Sequence, residues 1–155
     1  MKRQHRVSNQ ALKMQKGFTL LEIVIAIAIV AMLAAFILPG LLQNKEDAKY
    51  STALTQLEKD FPSAITRQVS RTNTCSSTSI TKELLLERGL PAKTVWNTDW
   101  SVAGVTSNTV TINYTLDSTD DKTAADMATA LSSNNNVQSA TASGNTQIAV
   151  AYRCN

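Results

Sequence analysis

Phe18–Leu42 reads FTLLEIVIAIAIVAMLAAFILPGLL, twenty-five residues carrying a single charge, Glu22. As a helix it would be roughly 38 Å long at about 1.5 Å per residue, enough to cross the hydrocarbon core of a bilayer. A core helix of a soluble protein shows a polar face once per turn; this stretch is apolar all round. Five of the 15 Lys and Arg residues (Lys2, Arg3, Arg6, Lys13 and Lys16) precede it with no acidic residue among them. Beyond Gly17 the balance reverses to ten basic against twelve acidic residues, so the +3 net charge of the 155-residue chain belongs to its N-terminal tail. A basic flank on one side only predicts a cytoplasmic N-terminus and an exported C-terminal bulk. The competing reading, a cleaved secretory signal, fits poorly: the run is long and lacks a small-x-small site at its C-terminal end.

Glu22 is out of place in such a helix. A carboxylate within lipid costs at least about 2.5 kcal/mol, and no cation of the same span can reach it. A cut between Gly17 and Phe18 would create an α-ammonium one turn away from Glu22. The same group on a neighbouring chain is an equally available partner.

The run Lys16-Gly17-Phe18-Thr19-Leu20-Leu21-Glu22, followed by unbroken apolar sequence, resembles the class III signal of type IV pilins and the related type II secretion pseudopilins. The match covers roughly Lys16–Leu42, including Pro39 and Gly40, where pilin helices commonly carry a disrupting proline. The resemblance implies cleavage after Gly17 by a prepilin peptidase, N-methylation of Phe18, and a role for Glu22 and Phe18 in assembly. It divides the chain into a leader (1–17), a transmembrane and filament-core helix (18–42) and an exported head domain (43–155). A leader of 17 residues is similar to those of type IVb pilins, whereas Phe18 is typical of type IVa. A start at Met14 would give an ordinary short type IVa leader, and both readings stay open.

Past Leu42 the helical signal continues. Gln43–Asp60 contains neither glycine nor proline, and Tyr50, Leu54, Leu57, Phe61 and Ile65 recur at three- and four-residue spacing. One helix from about Phe18 to about Gln68 follows, with Pro39 and Pro62 as candidate kinks; the alternative for Pro62 is the start of a new helical segment. Thr81–Pro91 carries the signals of a short helix: a capping threonine, an acidic first turn, Gly89 and Pro91. From Ser101 the period changes to two. Trp100–Val105 and Val110–Leu116 read as one hairpin, and Val137–Ala142 with Thr146–Cys154 as another, separated by a helix over Asp120–Leu131. Trp96 and Trp100 are expected to anchor packing. The fold class is α+β: a long N-terminal helix packed on a C-terminal antiparallel sheet of about four strands, as in pilins.

Little in the chain suggests catalysis. The only histidine, His5, lies in the tail, so a processed chain has no histidine for a nucleophilic triad or a metal. No glycine-rich phosphate loop occurs. Asp117, Asp120, Asp121 and Asp126 invite a calcium reading, since some pseudopilins bind calcium. They lack the glycine and distal glutamate of an EF-hand, and Asp120 and Asp121 more simply favour the start of a helix. No metal or cofactor is expected. Arg67, Arg71, Lys82, Arg88 and Lys93 are interleaved with acids, so a nucleic-acid partner is unsupported. The two cysteines, Cys75 and Cys154, lie on a domain expected to be exported, where thiols oxidise. Type IV pilins commonly have such a disulfide and major pseudopilins usually lack it, so the resemblance agrees with a bridge; two free thiols are the alternative.

The resemblance implies a non-enzymatic structural subunit that polymerises with copies of itself into a type IV pilus supporting adhesion, twitching motility or DNA uptake. Its partners would be the prepilin peptidase and the pilus assembly machinery. Its locations would be the inner membrane before assembly and then the extracellular pilus, or fimbrium. The alternatives are a minor pilin acting as tip adhesin or DNA-binding module, or a type II secretion pseudopilin. Replacing Gly17 by a larger residue is expected to leave an uncleaved precursor in the membrane; normal processing on an immunoblot would contradict this.

Overall fold

The computed structural model describes residues 18–118, 120 and 122–154. The leader readings at Met1–Gly17 and the reading of Asp121 therefore lie outside the described residues. The chain divides into two units, Met1–Leu41 and Leu42–Asn155. The first contains the start of helix α1 (Leu20–Thr55), and its large apolar side chains from Phe18 to Leu38 are exposed. Helical structure continues through Pro39 and Gly40. In the head, the same helical run passes through a single π turn, Gln56–Asp60, into α2 (Phe61–Thr72).

The π turn sits directly before Pro62, one of the expected kink positions. In an α register the Pro62 ring would clash with the carbonyl four residues back. Widening the turn relieves this, and the Phe61 amide reaches back five residues to the Gln56 carbonyl. The helix outlasts the expected end at Gln68. Its terminus is set by Asn73, whose left-handed conformation (φ 52°) brings its amide to the Val69 carbonyl at 2.7 Å.

The remaining elements are α3 (Lys82–Glu87), β1 (Trp100–Val105), β2 (Thr109–Thr115), α4 (Thr123–Ser132), β3 (Val137–Ser143) and β4 (Gln147–Arg153). Thr81 caps α3 through its side-chain oxygen, which accepts from the Leu84 amide. Gly89 closes it with φ 98°, so that the Leu90 amide bonds the Leu85 carbonyl. Helix α4 begins three residues later than the acidic run suggested. Asp120 lies ahead of it, its carboxylate accepting from the Lys122 amide at 3.1 Å and its carbonyl from the Thr123 amide.

The sheet is four-stranded and antiparallel, in the order β1-β2-β4-β3. The two hairpins join through β2 and β4, which pair Val110 with Tyr152, Ile112 with Val150 and Tyr114 with Ile148. All six side chains point into the core and are fully buried, as the alternation demands. Ala53, Leu57, Phe61, Ala64 and Ile65 of the helix meet them. The stripe read from sequence is thus right from Leu57 onward, whereas Tyr50 and Leu54 are only half-buried at its margin. Phe61 is the central contact: its ring meets Trp100 edge-on at 5.0 Å and Tyr114 at 6.0 Å, and stacks on Tyr152 at 6.4 Å.

Cys75, in the loop after α2, is joined to Cys154 at the end of β4, with Cα atoms 6.2 Å apart and the two positions separated by 79 in sequence. Closing a loop of that length contributes about 4 kcal/mol in the chain-entropy description. Changing both cysteines to serine is expected to lower the stability of the head by up to about that amount. Chemical denaturation monitored by circular dichroism checks this; an unshifted midpoint would remove the bridge from the account of stability.

Candidate functional site

Two regions carry functional groups: the start of α1, and the polar seam where the helix meets the sheet in the head. Thr19 is the cap of α1. Its hydroxyl accepts from the Glu22 amide at 3.2 Å, and its carbonyl accepts from the Ile23 amide. Glu22 therefore occupies the third helical position of a Thr-x-x-Glu pattern, with an acidic side chain in the first turn, where the helix dipole favours it. Both Phe18 and Glu22 are exposed, Phe18 by 79%. No ion pair of Glu22 occurs among the described residues. Fourteen large apolar side chains between Phe18 and Leu38 are exposed in succession. The helical run starting at Leu20 is long and apolar enough to cross a membrane.

Within the head, Glu46 and Asp47 of α1, Asp120 ahead of α4 and Asp126 in its first turn surround a surface cavity with Tyr50, Trp96, Ser118 and Thr123. Lys49 bonds Glu46 at 2.8 Å, and the Trp96 indole donates to the same carboxyl at 3.3 Å. The Lys49 bond is the main reason the Glu46 carboxyl is held below its usual range. Among the described residues no three metal-ligating side chains converge. The basic residues are dispersed. Lys82 and Lys93 share Asp99 at 3.6 and 3.5 Å, and Lys82 also lies over the Trp100 ring at 5.1 Å. Arg88 donates to the buried Gln68 side chain at 2.9 Å, while Arg67 and Arg71 are exposed.

Sequence reading missed the hydroxyl contacts of two core tyrosines. Tyr114 donates to Gln56 Oε1 at 2.9 Å and accepts from the Val95 amide at 3.1 Å. Tyr152 donates to the Leu57 carbonyl at 2.8 Å. The available signal was a tyrosine at an inward position of each central strand, because a buried phenol needs a partner. Both indoles anchor packing as expected: Trp96 and Trp100 are buried in the core, and the Trp100 nitrogen donates to the Pro91 carbonyl at 2.7 Å.

A capped, unburied apolar helix followed in the chain by a small α+β head is a pilin-like architecture, and the helix is long and apolar enough to cross a membrane. Residues 12–38 match the family described as the prokaryotic N-terminal methylation motif. The chain is 44% identical over 46 residues to the type II secretion system core protein G of Vibrio cholerae serotype O1 (strain ATCC 39315 / El Tor Inaba N16961), covering 30% of this chain and 32% of that protein. It is 44% identical over 43 residues to the protein of the same name from Escherichia coli (strain K12), covering 28% of this chain and 30% of that one. The alignments span about a third of the length of these curated relatives. No solved structure matches the chain.

The buried tyrosines make the head sensitive to alkali. Burial pushes Tyr114 up to about 12, against the lowering influence of the Val95 amide. Burial likewise raises Tyr152, reinforced by Tyr114 and Glu58. Because the folded values exceed the unfolded one, this stability is intact below about pH 10 and is lost as pH rises through the folded values. Phenolate absorbance is expected to stay low past pH 10 and to rise together with loss of the sheet signal. Full ionisation centred at about pH 10 with the fold intact would contradict the burial.

Proposed function

We propose that this chain is a prepilin whose product is a structural subunit of a type IV pilus-like filament, with no catalytic role. A prepilin peptidase cuts between Gly17 and Phe18 and the new amine is methylated. Residues 18–42 hold the subunit in the inner membrane, and the head, 43–155, lies outside. Assembly machinery then moves the apolar helix from lipid into a bundle of identical helices, leaving the heads on the outside of an extracellular filament. The observation that carries this reading is the unburied apolar run of α1 with one carboxylate in its first turn. No described residue covers that run, whereas lipid and a bundle of its own copies both would. The match to the methylation motif over residues 12–38 supports the processing step.

A second reading, a pseudopilin of a type II secretion system, is favoured by the names of the two matched relatives. Both alignments are confined to less than a third of this chain. The Cys75–Cys154 bridge supports the pilus reading, because the resemblance ties such bridges to pilins. Mass spectrometry of sheared surface filaments tests the proposal: a subunit beginning at methylated Phe18 is expected, and filaments lacking this chain would overturn it.

In this mechanism Glu22 neutralises the Phe18 amine of an adjacent subunit inside the apolar bundle. Glu22→Ala keeps the Thr19 cap, since the donor there is the backbone amide, and it inserts into lipid at least as readily. It strands one ammonium per subunit, at about 3–5 kcal/mol for a broken buried pair. A processed, folded, membrane-resident protein with few or no filaments is expected. Wild-type numbers of filaments made solely of the variant, counted by electron microscopy, would refute the pairing.

A further inference from the structure

Pro62 creates a hydrogen-bonding deficit one turn upstream. In the π turn, Phe61 donates to Gln56, five residues back. The next donor in that register would be the amide of residue 62, directed at the Leu57 carbonyl, but proline has no amide hydrogen. Phe61 is already committed to Gln56, and Leu57 is completely buried, so water cannot serve as its partner. The Tyr152 hydroxyl donates to the Leu57 carbonyl at 2.8 Å, across 95 residues of sequence. Tyr152 is itself fully buried, and its ring is stacked on Phe61 at 6.4 Å with only 4° between the planes.

We propose that Pro62 and the Tyr152 hydroxyl together form a register lock: proline makes the α register unfavourable, and the tyrosine supplies the hydrogen that the π register lacks. Tyr152 is then a positioning residue, and what it positions is the rotational phase of the helix ahead of the turn. A one-residue change of register would rotate that segment by roughly 100° about its axis. Two contacts in the head depend on the phase: Gln56 Oε1 with the Tyr114 hydroxyl, and the Glu46 carboxylate with the Trp96 indole. The lock keeps both in place. It is a property of the folded head and stands whether or not the chain forms filaments.

Rescue separates this role from simple packing. In the full chain in detergent micelles, Tyr152→Phe retains the ring but removes the donor. Exchange of the Phe61 amide with deuterated solvent is expected to accelerate at least about tenfold, the equivalent of one unsatisfied buried carbonyl. Adding Pro62→Ala restores an amide hydrogen facing Leu57, and is expected to return that rate to near the wild-type value. Should Tyr152→Phe alone fail to fold, recovery of the folded state on adding Pro62→Ala supports the lock equally. Unchanged Phe61 exchange in Tyr152→Phe, or a defect that Pro62→Ala does not relieve, would overturn it.

Discussion

The ring of Phe61 is the point on which the head depends. It touches Trp100 from the edge strand β1 and Tyr114 and Tyr152 from the two central strands, so one helical side chain bridges three strands of the sheet. Aromatic contacts of this kind contribute about 0.5–1.5 kcal/mol each beyond the area they bury. They also fix orientation, because edge-on and stacked geometries tolerate little rotation. The position is demanding: the residue after it is a proline, and the backbone must widen into a π turn to keep the ring in place. Tyr114 and Tyr152 then use their hydroxyls on Gln56 and Leu57 within that turn. Packing and backbone satisfaction are therefore solved by the same two side chains.

Much of this architecture is legible in the residues themselves. The alternation of Val110, Ile112, Tyr114 and Leu116 predicts β2 and its buried face, and the Thr81, Gly89 and Pro91 pattern places α3. Ser143-Gly144-Asn145 locates the turn between β3 and β4, where Gly144 adopts φ 65°. The π turn could not be read, because its cause is a combination: a proline after a core aromatic, and a donor arriving from the distant strand β4. The sheet order was equally hidden. Local periodicity identifies two hairpins but not which of their strands become neighbours, since that choice rests on contacts between Val110 and Tyr152 or Ile112 and Val150 that lie some forty residues apart.

The functional region divides in the same way. Glu22 stands out by chemistry, because a lone carboxylate in an apolar helix requires an explanation, whereas the processing roles expected of Gly17 and Phe18 come from the resemblance. Thr19 was available to the same reading as the first member of a Thr-x-x-Glu cap, and its role needed only that pattern. The acid-rich cavity around Trp96 was not available: Glu46 and Asp120 are remote in sequence and come together only when the head folds. Its carboxylates have local duties, Glu46 toward Lys49 and Trp96 and Asp120 toward the start of α4.

The order β1-β2-β4-β3 has a consequence for the timing of folding. β4, the last strand in the chain, occupies an interior place, hydrogen-bonded to β2 on one side and to β3 on the other. Until Gln147–Arg153 arrives, the first hairpin and β3 have no shared partner, and the Leu57 carbonyl has no hydroxyl. On the proposed route, in which the segment following the apolar helix crosses the membrane first and β4 last, the head would stay open until β4 had crossed. The sheet, the aromatic cluster and the disulfide would then close in a single late event, so that under the proposed function completion of the fold would follow completion of export.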